Sequence, residues 1–203
     1  PLGMFTIFAA HTTFCLPFVF LMVMARLDEI RAAEDVQVFW QTGKLYIDEM
    51  KRRLSGEKPV PNLYPTDFIS SMDVAYSAAD LVISRAGASS ISELCLLGKP
   101  VILVPSPNVA EDHQTKNAMA LVRRDAAIHI ADAEAPERLM PEAIALVHDE
   151  SRLGALSGNI LKLALPDSAE IIAREVLKLA DNGWVWKSIR SNRYILSVRE
   201  ALE

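Results

Sequence analysis

The chain has 203 residues, 51% hydrophobic and 23% charged, which is the balance of a folded protein with one sizeable core rather than of a disordered one. A net charge of −5 at pH 7 argues against nucleic acid as a partner, because neutralising a phosphate backbone needs a dense lysine and arginine surface. The two cysteines, Cys15 and Cys95, lie in apolar surroundings without C-x-x-C spacing, so neither a disulfide framework nor a zinc site has support and a reducing compartment fits.

Taken in chain order, Pro1-Leu2-Gly3 reads as a cloning scar, and Phe5–Ala25 is an uncharged, largely apolar run of about the ~20 residues that span a bilayer. Two readings stand for residues 1–27: a membrane helix, or the first βα unit of the fold, with Phe5–Ala10 as strand and a break at His11, Thr12, Thr13 and Pro17. No basic region precedes the run and no small-residue cleavage site follows it, which argues against a secretory signal.

From Asp28 the chain alternates short β-branched or aromatic runs with helix-period stretches, the pattern of βαβ units on a parallel sheet. Val36–Trp40 predicts a strand, Lys44–Leu54 an amphipathic helix, Ser55–Asn62 a surface loop and Leu63–Tyr64 a short strand. Ser70 or Ser71 can cap a helix whose apolar side is Met72, Ala75, Tyr76 and Ala79. A complete crossover follows: the strand Leu81–Ser84, the turn RAGASS, the helix ISELCLL, a stop at Gly98 and the strand VILVP. His113–Arg124 predicts a helix and Ala127–Ala131 a strand, and helical stretches at Pro136–His148, Ser151–Leu163 and Ser168–Ala180 complete a domain over 28–181. The tail 182–203 mixes Trp184, Trp186 and Tyr194 with Lys187, Arg190, Arg193 and Arg199; such a helix either packs back on its domain or lies on an anionic membrane.

The turn from Arg85 to Ser90 joins a strand to a helix at the carboxyl edge of a parallel sheet, where free amides and the helix dipole favour an anion. One reading is an ordinary tight turn. The other is a diphosphate site, with Ala88 admitting the phosphate to the backbone, Ser89 and Ser90 donating hydroxyls and Arg85 adding charge. Glu93 likewise has two readings, since Ser90-x-x-Glu93 has the spacing of a capping box while a carboxylate there can also accept two hydrogen bonds from a ribose diol. His113 and Gln114, after the proline-rich loop 105–113, are either helix-start residues in solvent or ligands of sugar hydroxyls. His129 and His148 have no partners at metal spacing, so no metal site is expected.

Read together, DFISSM (67–72), ADLVISRAGASSISELCLLGKPVILVP (79–105) and EDHQTKNA (111–118) resemble successive signature segments of the C-terminal domain of the MurG glycosyltransferases. The resemblance runs from about Asp28 to Ala180. It implies a Rossmann-like α/β domain of the GT-B type and transfer of N-acetylglucosamine from its UDP donor to a lipid-linked peptidoglycan precursor, with no cofactor beyond that donor and no obligatory metal. It also implies that Phe68 and Ile69 hold the uracil, the backbone of Ile69 reading its edge and Met72 lining the pocket. Ala88, Ser89 and Ser90 then meet the diphosphate and ribose region, Glu93 binds the ribose hydroxyls, and His113 and Gln114 bind the sugar. The family's acceptor-binding N-terminal domain, expected to supply the catalytic base, is absent, so no catalytic residue is assigned and the chain alone is expected to be inactive. The partners implied are a UDP-sugar and, through that other domain, a lipid-linked acceptor at the cytoplasmic face of a bacterial plasma membrane.

The family's first strand of this domain leads into a G-G-S-x-G-A loop, whereas Phe5–Leu27 contains no glycine. That segment also resembles a transmembrane piece of a polyamine-type transporter permease (AHTTFCLPFVFLMVMARL, 10–27). Two other functions therefore compete with the transferase domain: a non-catalytic UDP-sugar-binding subunit that needs a partner half, and a membrane-anchored or chimeric scaffold. A UDP-sugar epimerase shares the fold, but DFISSM and HQTKNA fit the transferase better.

Overall fold

The computed structural model describes residues 5–10, 26–107 and 112–181. Residues 11–25 of the apolar run, part of the loop 105–113 and the aromatic, basic tail lie outside them. The chain divides into two compact units, Pro1–Ala164 and Leu165–Glu203.

The first unit is built on six strands: β1 (Phe5–Ala10), β2 (Val36–Gln41), β3 (Leu63–Thr66), β4 (Leu81–Ser84), β5 (Val101–Leu103) and β6 (Ile128–His129). Every pairing is parallel and the order is β3-β2-β1-β4-β5-β6. Its helices are α1 (Leu27–Ala32), α2 (Ile47–Ser55), α3 (Met72–Ala78), α4 (Ala88–Leu97), α5 (His113–Val122), α6 (Ala135–Val147) and α7 (Glu150–Leu161). This is the Rossmann-like α/β sheet that the alternation of strand and helix patterns predicts.

Period-2 alternation sends successive strand residues to opposite faces and so builds two cores. Val36, Val38 and Trp40 of β2, Leu81 and Ile83 of β4 and Ile102 of β5 join one cluster with Ile30 of α1, Met50 of α2 and Leu139 and Met140 of α6. Val82, Val101 and Leu103 join the other with Tyr76 of α3, Leu94 and Cys95 of α4 and Ala118 and Leu121 of α5. The helices bearing the signature segments thus share one face. Pro65 sits in β3, an edge strand, where its missing N–H removes no interior ladder bond.

β1 lies at the centre, Ile7 paired with Val38 on one side and with Leu81 on the other. The sheet grows outward from β1 through β2 to β3, then returns to place β4 on the opposite side of β1. That reversal falls between the carboxyl ends of β1 and β4, the position where open α/β sheets bind ligands. No helix among the described residues is long and apolar enough to cross a membrane.

The second unit contains α8 (Ser168–Asp181), a 14-residue helix on which Ile171, Ile172, Val176, Leu177 and Leu179 are exposed.

Candidate functional site

At the reversal point, β4 ends at Ser84 and the turn Arg85–Gly87 leads into α4. The helix starts at Ala88 with Gly87 as N-cap, and no side chain caps it. Its first turn holds no acidic residue. Among the described residues, the opening amides at Ala88, Ser89 and Ser90 therefore keep the positive end of the dipole without a counter-group. Ala88 and Ser89 are exposed and Ser90 is half-buried. Gly87 has an ordinary extended conformation, and a Cβ built on it would come no nearer than 3.8 Å to Ser90 Oγ. Neither backbone strain nor crowding among the described residues calls for glycine there.

The start of α4 also removes the capping-box reading of Glu93. Ser90 is the third residue of the helix and not its cap, so Glu93 lies nearly two turns in and cannot close a capping box. Its side chain is exposed, and its Oε2 lies 3.5 Å from the hydroxyl of Tyr76. Tyr76 is 6% exposed on α3. Burial first, and then the Glu93 carboxylate, push the tyrosine up to about 12, so the phenol remains a donor across the neutral range.

The β3–α3 connection supplies Phe68, Ile69 and Met72. Phe68 is 61% exposed, with its amide donating to Asp67 Oδ1 at 2.8 Å. The Ile69 amide donates to Gln41 Oε1 at 2.9 Å, which ties this loop to the carboxyl end of β2. Met72, first residue of α3, is half-buried against the same core as Tyr76. Ser71 is the N-cap, but no side-chain bond closes the helix start.

From the β5–α5 connection, His113 is exposed and Gln114 half-buried in the first turn of α5. Gln114 Oε1 accepts the Ser106 amide at 2.9 Å, so half of its carboxamide braces the loop and the Nε2 end is the donor end. Asn117, one turn on, donates from Nδ2 to the Ala86 carbonyl at 3.1 Å and joins α5 to the turn before α4. A cavity of about 390 Å³ borders this helix start, with Asp112 and Thr115 on one side and His129 and Asp132 on the other.

Arg85 departs from the expected phosphate contact. It is 4% exposed, and its Nη1 donates to the carbonyls of Val104 (2.9 Å) and Pro105 (3.1 Å) and to the Asp132 carboxylate. Its cation is neutralised by a carboxylate from the loop after β6 and holds the carboxyl ends of β4, β5 and β6 together. Nothing local in the turn RAGASS signals this, because the partner lies 47 positions away. Tyr76 and Asn117 were also visible in sequence only as an apolar helix position and an unassigned motif residue. Among the described residues, no group of His, Cys, Asp or Glu could hold a metal.

A six-stranded parallel sheet with an open helix N-terminus at its reversal point, flanked by two further loops of the same edge, defines a Rossmann-like α/β domain. Residues 19–170 match the model of the glycosyltransferase family 28 C-terminal domain, and the chain belongs to that family. A Bacteroides fragilis protein named UDP-N-acetylglucosamine--N-acetylmuramyl-(pentapeptide) pyrophosphoryl-undecaprenol N-acetylglucosamine transferase is 59% identical over 158 residues, 78% of this chain and 42% of that protein. A Phocaeicola vulgatus protein of the same name is 60% identical over 159 residues, again 78% and 42%. The crystal structure of MurG from Acinetobacter baumannii superposes with a TM-score of 0.66 at 25% identity, covering 86% of this chain and 52% of that one. The chain thus spans less than half the length of the curated relatives it matches.

Proposed function

We propose that this domain binds UDP-N-acetylglucosamine as the donor half of an inverting transferase. The observation that carries the reading is the convergence of three segments, β3–α3, β4–α4 and β5–α5, on one sheet edge, linked by Tyr76 to Glu93 and by Asn117 to Ala86. In this reading Phe68, the Ile69 backbone and Met72 hold the uracil, and Glu93 accepts the ribose hydroxyls. The amides of Ala88 to Ser90 take the diphosphate. His113 and the Nε2 end of Gln114 meet the sugar, for which the adjoining cavity of about 390 Å³ leaves room. As an acceptor hydroxyl attacks the anomeric carbon, negative charge grows on the departing UDP, and the uncapped terminus of α4 stabilises it without reorganising.

The base that deprotonates the acceptor and the surface that binds a lipid-linked peptidoglycan precursor belong in this reading to another domain, so the chain alone binds donor without turnover. The place of action is the cytoplasmic face of the plasma membrane. Support comes from the name carried by relatives 59–60% identical over 78% of the chain.

Calorimetric titration tests the reading directly. UDP and UDP-N-acetylglucosamine are expected to bind, with CMP at least about tenfold weaker, a difference of ~1.4 kcal/mol. Equal affinity for UDP and CMP, or no binding of either, would reject it.

A further inference from the structure

We infer that Tyr76 is a positioning residue for ribose recognition: from α3, its hydroxyl holds the Glu93 carboxylate of α4 in the orientation that receives the ribose diol. This deepens the donor-binding reading and rests on it.

The tyrosine ring is anchored. It is 6% exposed and belongs to the core cluster that contains Leu94 and Cys95, the two α4 residues next to Glu93. The phenol of a ring so largely buried needs a polar partner, and Glu93 Oε2 lies 3.5 Å from its oxygen. Glu93 is the mobile member. It is exposed on its helix, and a free glutamate must give up several rotamers when it engages a diol. A fixed donor at one oxygen reduces that loss before the ligand arrives. The carboxylate has about four lone-pair sites, so one bond from Tyr76 leaves acceptors for both ribose hydroxyls.

The length of the contact suits this role, because hydrogen bonds at unliganded sites are commonly long and tighten in the complex. The protonation state suits it too. With the phenol pushed up to about 12, Tyr76 stays a donor across the neutral range. Tyr76 stands one helical turn beyond Met72 on the same face of α3, so the helix that borders the base also fixes the ribose carboxylate. Recognition of base and ribose is then mechanically joined rather than the sum of two independent contacts.

Titration of the full 203-residue chain with UDP and with 2′-deoxyuridine diphosphate separates this role from simple core packing. The parent should prefer UDP by about tenfold, as one charge-assisted hydrogen bond to the 2′-hydroxyl allows. Tyr76→Phe keeps the ring and should reduce that preference to about threefold or less, with a smaller loss for the deoxy ligand, which still presents its 3′-hydroxyl to Glu93. Glu93→Gln should do the same, and the double variant should be no weaker than Glu93→Gln alone. If Tyr76→Phe melts too low to titrate, Glu93→Asp withdraws the carboxylate by one methylene from the phenol and should show the same loss of preference. A Tyr76→Phe variant that retains the full preference, or a Glu93→Asp variant that does, overturns the proposal, as does an additive double variant. UDP binding without any preference over the deoxy ligand, with Glu93→Gln silent, removes the ribose assignment and this proposal while donor binding stands. No binding of UDP by the parent removes the donor reading itself.

Discussion

The N-termini of α4 and α7 differ in how their backbone donors are met. At α7 the Asp149 carboxylate accepts the Arg152 amide at 2.9 Å, Glu150 adds an acid to the first turn, and the Arg152 guanidinium grips both Asp125 oxygens at 2.7 and 2.8 Å. At α4 the cap is a glycine, no described side chain accepts from the first turn, and that turn holds no acid. The carboxyl end of α4 shows that this is not general neglect. Gly98 closes it in a left-handed conformation (φ 62°), the Lys99 amide returns to the Leu94 carbonyl at 3.2 Å, and Ser157 Oγ donates to the Gly98 carbonyl. One helix end serves the fold and is finished internally; the other, at the reversal of the sheet, keeps the open amides that the proposed diphosphate would meet.

Arg85 sharpens the contrast, since it stands three residues before α4 yet belongs to the finished side of the molecule. Arg85→Met should cost about 3–5 kcal/mol of stability by leaving the mostly buried Asp132 carboxylate unpaired. Denaturant unfolding checks this, and a loss below about 1 kcal/mol would mean that the pair contributes little. Next in size is the conversion of α4 into a helix like α7. Gly87→Asp places an acceptor and a negative charge at a backbone already extended as caps require (φ −68°, ψ 143°). UDP affinity should fall at least about a hundredfold, ~2.7 kcal/mol, while the melting temperature holds or rises. Unchanged UDP binding would show that the diphosphate does not sit on this terminus.

The reverse change opens the closed end. Asp149→Ala removes the cap of α7 and should lower stability by about 1 kcal/mol, with UDP affinity unaltered in the same titration. The smallest effect concerns His148 at the end of α6, whose ring bonds the Ile144 carbonyl (2.7 Å) and Asp35 (2.8 Å). The bond to Asp35, then the Ile144 carbonyl, raise His148 above 6.5; the bond from His148 lowers Asp35 below 3.8. The histidine's contribution is complete below 6.5 and is lost as pH rises through its higher folded value. The aspartate's is present above 3.8 and is lost as pH falls through its lower one. A His148→Gln variant should therefore differ most from the parent between these limits, and the gap in melting temperature should shrink by pH 8.5. A gap that grows with pH would contradict the pairing.

Local pattern carried much of the architecture. Alternating residues in Val36–Gln41 and the run Leu81–Ser84 mark strands because side-chain direction in a strand depends on parity alone. The stop at Gly98 is equally local, because only the residue's own φ decides it. The spacing Ser90-x-x-Glu93 misled as a capping box because the helix begins two residues before Ser90. Small residues at 88 and 89 continue a helix as readily as they end a turn, and the choice falls to packing.

By itself the sequence determined that a parallel α/β sheet would form, where most of its strands and helices lie, and which family's segments it bears in order. Those properties follow from hydrophobic periodicity and turn residues within a few positions of one another. Only the tertiary structure decided that Phe5–Ala10 runs through the centre of the sheet, that Arg85 serves Asp132, and that Tyr76 reaches Glu93. Each depends on segments distant in the chain being brought within a few ångströms, and that is settled by how two apolar faces of one sheet are covered, not by any residue's neighbours in sequence.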